Sequence, residues 1–214
     1  MRSWSRLASP GRHATYRGAV EPRRRIGVFG GTFDPPHAAH VAVAATAVHQ
    51  LELDELIVTV AGVPWQRVGS RPISPAGTRL RMAELAFSVV ERVIVSDIEL
   101  RRRGNSYTVD TLRELAEPDI ELFVLLGTDA AEGLDTWHEP EAVAELATVV
   151  VFPRRGFEAA APPEQFEWTA LELPGLEISS SEIRRRVADR EPIHGLVPAP
   201  VVNVIRAEGL YATR

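Results

Sequence analysis

The segment Gly30-Gly31-Thr32-Phe33-Asp34-Pro35-Pro36-His37-Ala38-Ala39-His40 gathers residue types suited to holding an anion. Paired glycines let a backbone come close to a ligand, and a helix start offers unpaired N–H groups and the positive end of its dipole. His37 and His40 stand three residues apart and so share one face of a first helical turn. Two imidazoles there can donate to phosphate oxygens and to negative charge that builds up during a reaction. A plain glycine turn with two surface histidines is the competing reading, and the His-x-x-His spacing at the helix mouth tells against it. Zinc is another use of the pair, but no third ligand is evident nearby, so no metal is assigned here.

A second segment, Ile178-Ser179-Ser180-Ser181-Glu182-Ile183-Arg184, repeats the theme. Serines before a helix act as N-caps, with Glu182 able to reinforce the first turn. The same geometry aims hydroxyls and N–H groups at an anion, and Arg184 adds a guanidinium fork one turn on. Alone this is a capped amphipathic helix; with the first segment it makes two helix starts that together could enclose a triphosphate. A third segment runs Leu125-Leu126-Gly127-Thr128-Asp129, followed by Trp137-His138. A carboxylate just past a strand accepts from ribose hydroxyls, and an indole stacks on a base or a pyridine ring. A turn aspartate and a core tryptophan would look the same.

The elements that must position these groups alternate along the chain. Strand patterns are expected at Ile26–Phe29, Leu56–Val60, Arg92–Val95, Glu121–Leu126 and Thr148–Phe152. Helical patterns are expected at Ala38–Leu51, Arg79–Val90, Val109–Leu115, Pro140–Leu146, Ser180–Ala188 and Pro200–Ala207, with a Gly- and Pro-rich loop over 61–76 and a polar connector over 159–165. Strands separated by helices predict a Rossmann-like, doubly wound α/β sheet, mainly parallel, closed by C-terminal helices. Ligands of such sheets bind beyond the carboxyl ends of the strands, where strand order reverses.

Composition narrows the chemistry further. The 214 residues hold 24 basic and 29 acidic side chains, a net charge of −5; every basic residue is arginine, and there is no lysine or cysteine. A P-loop, a catalytic lysine, thiol catalysis, zinc–thiolate sites and disulfides are thereby excluded. No broad basic surface for nucleic acid is expected, nor any membrane span, since no apolar run nears the required length of about 18 to 20 residues. A soluble cytoplasmic protein is the expectation. The first 25 residues carry seven arginines against Glu21, a net +6 that leaves −11 for the remainder. Residues 1–24 read as a disordered basic leader, most of which a start at the Val20 codon would remove, and 25–214 as a single domain.

Gly30 to His37 and His40, with Ile178-Ser179-Ser180 and Arg184, resemble the paired (H/T)xGH and ISSxxIR motifs of the nucleotidyltransferase superfamily. Within it the chain resembles the bacterial nicotinate-nucleotide adenylyltransferases. Asp97-Ile98-Glu99 with Gly104-Asn105-Ser106-Tyr107-Thr108 to Leu112 is similar to that family's D-x-E and G-x-SYT-x-x-TL segment. Gly127-x-Asp129 with Trp137, Arg154-Arg155-Gly156-Phe157, and Leu196-Val197-Pro198 with Gly209-Leu210-Tyr211 extend the likeness over about residues 24–211. Two departures stand out. Ala39 replaces the glycine usual before the second histidine, and Pro64-Trp65-Gln66-Arg67 carries arginine where relatives have lysine, keeping the charge but adding a planar fork.

The resemblance implies adenylyl transfer from ATP to nicotinate mononucleotide, giving deamido-NAD and pyrophosphate, with Mg²⁺ accompanying ATP. It implies that His37, His40 and Arg184 are catalytic, and that Gly30, Gly31, Thr32, Phe33, Asp129, Ser179 and Ser180 bind ATP. Trp65, Arg67, Tyr107, Thr108, Trp137 and Arg154 would then take the nicotinate mononucleotide. No protein nucleophile is needed, so the missing cysteine and lysine cost the mechanism nothing. Other acceptors, namely nicotinamide mononucleotide, phosphopantetheine or a phosphorylated alcohol, are the alternatives within the superfamily; a nucleotide-binding regulatory module is the alternative outside it. The number of copies in a homo-oligomer and closure of loop 61–76 over substrate are left open.

Overall fold

The computed structural model describes residues 23–62, 73–102, 104–153, 161–173 and 175–212. Six strands make one sheet: β1 (Arg24–Gly31), β2 (Glu55–Val60), β3 (Val93–Ser96), β4 (Ile120–Gly127), β5 (Ala147–Phe152) and β6 (Trp168–Ala170). Their order is β3-β2-β1-β4-β5-β6. Every neighbouring pair is parallel, so the sheet, expected to be mainly parallel, is wholly so among the described residues. β6 was not expected: it is three residues long and exposed on its side chains, which leaves no hydrophobic period to read.

The helices are α1 (Ala38–Gln50), α2 (Ala76–Phe87), α3 (Ile98–Arg101), α4 (Thr108–Leu115), α5 (Thr128–Glu132), α6 (Pro140–Leu146), α7 (Ser180–Ala188) and α8 (Ala199–Ala207). α2 starts and ends three residues earlier than its apolar period suggested, because Pro75 is its N-cap. The one-turn helices α3 and α5 are too short to show a period and were missed.

Side chains of each central strand alternate between two cores, as the two-residue repeat of a strand requires. Phe29, Val58, Phe123, Leu125 and Val150 face α1, α2, α7 and α8. Ile26, Val28, Ile57, Leu122, Val124, Leu126, Val149 and Val151 face α4 and α6. The sheet is therefore covered on both faces, which leaves its ends as the accessible edges. The order reverses between β1 and β4, whose pairing ends at Val28 and Val124 while the strands run on to Gly31 and Gly127; such a reversal is the crevice where sheets of this kind take ligands. The 1–24 leader lies outside the described residues apart from Arg23 and Arg24.

Candidate functional site

Beyond β1 the chain turns at Phe33, whose φ is +48°. Its ring folds back so that a Cβ on Gly31 would stand 2.8 Å from it, whereas a Cβ on Gly30 would meet only Thr59 Oγ1, at 3.4 Å. Gly31 is thus dictated by the packing of Phe33, and of the pair only the exposed Gly30 is left to serve close ligand approach. Phe33 packs edge-on against Phe87 and Phe29, each at 5.6 Å, and against His40 at 5.1 Å.

On its other side the His40 ring stacks on His37, with centroids 3.6 Å apart and planes 24° from parallel. His37, buried at the N-cap of α1, donates its backbone N–H to His40 Nδ1 at 3.1 Å. A nitrogen that accepts holds no proton, so the proton of neutral His40 resides on Nε2, which makes that atom a donor. The i, i+3 spacing does bring the two rings together.

α7 is bolted to the same loop. Ser180 Oγ donates to the Pro35 carbonyl at 2.9 Å, and Arg184 donates to the Asp34 carbonyl at 2.8 Å and to Ser181 Oγ at 2.9 Å. Ser179 caps the helix by accepting from the Glu182 N–H at 3.2 Å, which leaves its own O–H to donate elsewhere. Of the serine hydroxyls expected to face an anion, that of Ser180 donates to the Pro35 carbonyl in this structure, and its backbone N–H in the first turn is a further group suited to an anion. The loop that leads into α1 is thus tied to the start of α7, and the two segments together carry helix-start N–H groups, imidazoles and a guanidinium.

Asp129 lies exposed in the first turn of α5, at the carboxyl end of β4. Thr32 sits half-buried at the end of β1. Trp137 closes a short 3-10 turn, Leu134–Thr136, half-buried against the second core. Next to it, His138 stacks on Tyr107 with centroids 4.2 Å apart. Tyr107 is the N-cap of α4, Thr108 its first residue, and Asn105 donates to the Tyr107 hydroxyl at 2.9 Å. A two-pronged pair, Arg113 to Glu139 at 3.1 and 2.6 Å, joins α4 to the residue after His138. The arginine's hydrogen bonds hold the exposed Glu139 carboxyl below its ordinary pKa. Trp65, Arg67 and Arg154 lie outside the described residues.

Three residues were given no role of their own by the sequence. Arg79 is buried, and its guanidinium donates to the carbonyls of Ser74 at 3.0 Å, Thr32 at 2.9 Å and Ala61 at 2.8 Å. Burial lowers its pKa, and the nearby Asp34 and Tyr211 act against that. Asp34 is buried too, and accepts from the Tyr211 hydroxyl at 2.7 Å. The signal for Arg79 was present: it occupies the apolar stripe formed with Met82, Ala83 and Ala86, where a charge needs partners.

Among the described residues no group of three His, Asp or Glu is placed to hold a metal ion, and no helix is long and apolar enough to cross a membrane. The cytidylyltransferase-like family model matches residues 28–186. A probable nicotinate-nucleotide adenylyltransferase of Albidiferax ferrireducens is 41% identical over 89% of this chain and 99% of its own length. One of Thermomicrobium roseum, named likewise, is 39% identical over 88% and 92%. Among solved structures, Plasmodium falciparum nicotinic acid mononucleotide adenylyltransferase complexed with NaAD superposes with a TM-score of 0.74 at 20% identity, over 88% of this chain and 97% of that one. That likeness establishes the fold, and the identities near 40% over almost the whole of each relative establish the closer kinship. With its helix-start motifs seated at the reversal of a wholly parallel sheet, the chain belongs to the nicotinate-nucleotide adenylyltransferase family.

Proposed function

We infer that the protein transfers the adenylyl group of ATP to nicotinate mononucleotide, giving deamido-NAD and pyrophosphate. The observation that carries this reading is the attachment of α7, through Ser180 and Arg184, to the Asp34–Pro35 loop that leads directly into the stacked His37 and His40 at the start of α1. An oxygen of the nucleotide's phosphate attacks the α-phosphorus of ATP; the bond from that phosphorus to the oxygen bridging to the β-phosphate breaks, and pyrophosphate leaves. The protein's part is to position the reactants and stabilise charge. His40 Nε2–H serves the α-phosphate and His37 supports it. The Ser179 hydroxyl, the Ser180 N–H and the Arg184 guanidinium serve the β- and γ-phosphates. The backbone of Gly30 to Phe33 approaches the nucleotide, most closely at Gly30, and Asp129 accepts from a ribose hydroxyl.

ATP enters as its Mg²⁺ complex. The donors gathered here are N–H, O–H, imidazole and guanidinium groups, which suit phosphate oxygens rather than a cation, so the ion's own ligands are expected to be phosphate and water.

For the acceptor, Trp137 stacks on the pyridine ring while backbone N–H groups at Tyr107 and Thr108, the start of α4, receive its carboxylate; Trp65, Arg67 and Arg154 complete its binding. N–H donors suit a carboxylate, whereas an amide also requires an acceptor. Losing one charge-assisted hydrogen bond costs about 1.5–3 kcal/mol, roughly ten- to a hundredfold in preference for acid over amide. Pyrophosphate release from ATP and Mg²⁺ with each acceptor in turn tests this: nicotinate mononucleotide should turn over fastest, and folded protein that releases none with it would refute the assignment.

A further inference from the structure

The last turn of the described chain reaches back to the loop that carries His37. α8 ends at Ala207, and Gly209, with φ +59°, allows the reversal. Glu208 fastens the turn to α2, accepting from Thr78 Oγ1 at 3.1 Å and pairing with Arg81 at 3.1 Å. Tyr211 is thereby directed inward, where it packs against the first core and donates its hydroxyl to Asp34 Oδ1 at 2.7 Å, while accepting from Ser74 Oγ at 3.4 Å.

Asp34 is only 1% exposed. A carboxylate so deeply placed is costly unless its oxygens are met by donors. The phenol is suited to the task because it keeps its proton: burial, and then the hydrogen bond to Asp34, push its pKa above the ordinary tyrosine value. The backbone of the same Asp34 receives Arg184, and Pro35 receives Ser180. Asp34 is therefore the point at which the turn after α8, bonded to its side chain, and α7, bonded to its main chain, hold one loop three residues ahead of His37. A loop fixed from two sides keeps the His37–His40 stack at a set distance from the first turn of α7. That distance fixes how a triphosphate fits.

We propose that Tyr211 is a positioning residue for adenylyl transfer, its hydroxyl fixing Asp34 and hence the placement of the ATP-facing loop. The proposal rests on the reaction inferred above. Tyr211→Phe keeps the ring and its packing while removing the bond to Asp34. The expected result at 25 °C is a rise of about tenfold in KM for ATP, a lower kcat, and a KM for nicotinate mononucleotide within about twofold of the parent, tenfold being the effect of one hydrogen bond to a charged group. Asp34→Asn, which retains an oxygen able to accept from the phenol, should stay nearer the parent than Asp34→Ala. Because both act through one bond, Tyr211→Phe should add little loss to Asp34→Ala. If Tyr211→Phe lowers only the melting temperature and leaves both ATP parameters unchanged, or if the two losses simply add, the positioning role is refuted. Unmutated protein that turns over ATP and nicotinate mononucleotide in the same assay keeps that refutation separate from a failure of the assigned reaction.

Discussion

His37 and His40 are joined twice, by ring stacking at 3.6 Å and by the hydrogen bond from the His37 backbone N–H to His40 Nδ1 at 3.1 Å. The bond fixes which nitrogen of His40 donates, and Phe33 fixes where the ring stands. His40→Ala is therefore expected to remove a donor aligned for the reacting phosphate while sparing the groups that hold the rest of the triphosphate. By analogy with the loss of one preorganised donor to developing charge, kcat should fall by about 10²–10³. The dissociation constant for a non-hydrolysable ATP analogue should change far less. Equal losses in both would assign His40 to ground-state binding.

Arg79 ties the exit of β1 at Thr32 to the exit of β2 at Ala61 and to the residues before α2 at Ser74. Arg79→Met fills a similar space and leaves those buried carbonyls without their donor. With an unmet buried group costing about 1–3 kcal/mol, a loss of roughly 3 kcal/mol or more is expected in urea unfolding. Arg79→Lys should recover only part of it, since one ammonium cannot span carbonyls arranged around a planar fork. A fully stable Arg79→Met variant would show that water replaces the guanidinium.

The parallel architecture and both helix-start motifs were legible because they depend on local pattern: apolar runs at β1, β2, β4 and β5, the glycine turn and His-x-x-His before and into α1, and the cap at Ser179. What escaped depends on contacts made far along the chain. Tyr211 meets Asp34 across 177 positions, and neither residue is unusual in its own neighbourhood. Gly31 is explained by the ring of Phe33, whose backward turn no period announces. The Ser180 hydroxyl looked identical to that of Ser179 until the fold brought the Pro35 carbonyl to it. Arg79 was readable in principle, as a charge on an apolar stripe.

Trp137 stands beside the His138–Tyr107 stack, and the Arg113–Glu139 pair ties the same turn to α4. If the indole carries the pyridine ring, Trp137→Ala should raise KM for nicotinate mononucleotide by about tenfold or more, a stacked ring being worth about 1–3 kcal/mol. KM for ATP should remain near the parent value. Glu139→Gln, which weakens an exposed pair, should have a smaller effect that fades with added salt. A Trp137→Ala effect confined to ATP would place the pyridine ring elsewhere.

Glu182, in the first turn of α7, accepts from Arg185 at 2.8 Å and from Arg186 at 2.9 Å. These hydrogen bonds, that from Arg185 foremost, hold its carboxyl down at about 2, against an ordinary 4.5. A carboxyl with a depressed pKa in the folded state contributes its stability fully above its ordinary value and loses it as pH falls toward the folded one. The loss should therefore run from about pH 4.5 down to about 2, with none between pH 6 and 8. Because the group is exposed, the effect should be modest and should shrink at high ionic strength. Melting curves at pH 5, 4 and 3 make the comparison: the parent should lose more than Glu182→Gln, whose neutral amide cannot titrate. Since Arg184 projects from the same helix toward Asp34, the acid loss should appear together with weaker binding of an ATP analogue. Identical pH slopes in parent and variant would show that these pairs within α7 contribute nothing to its stability.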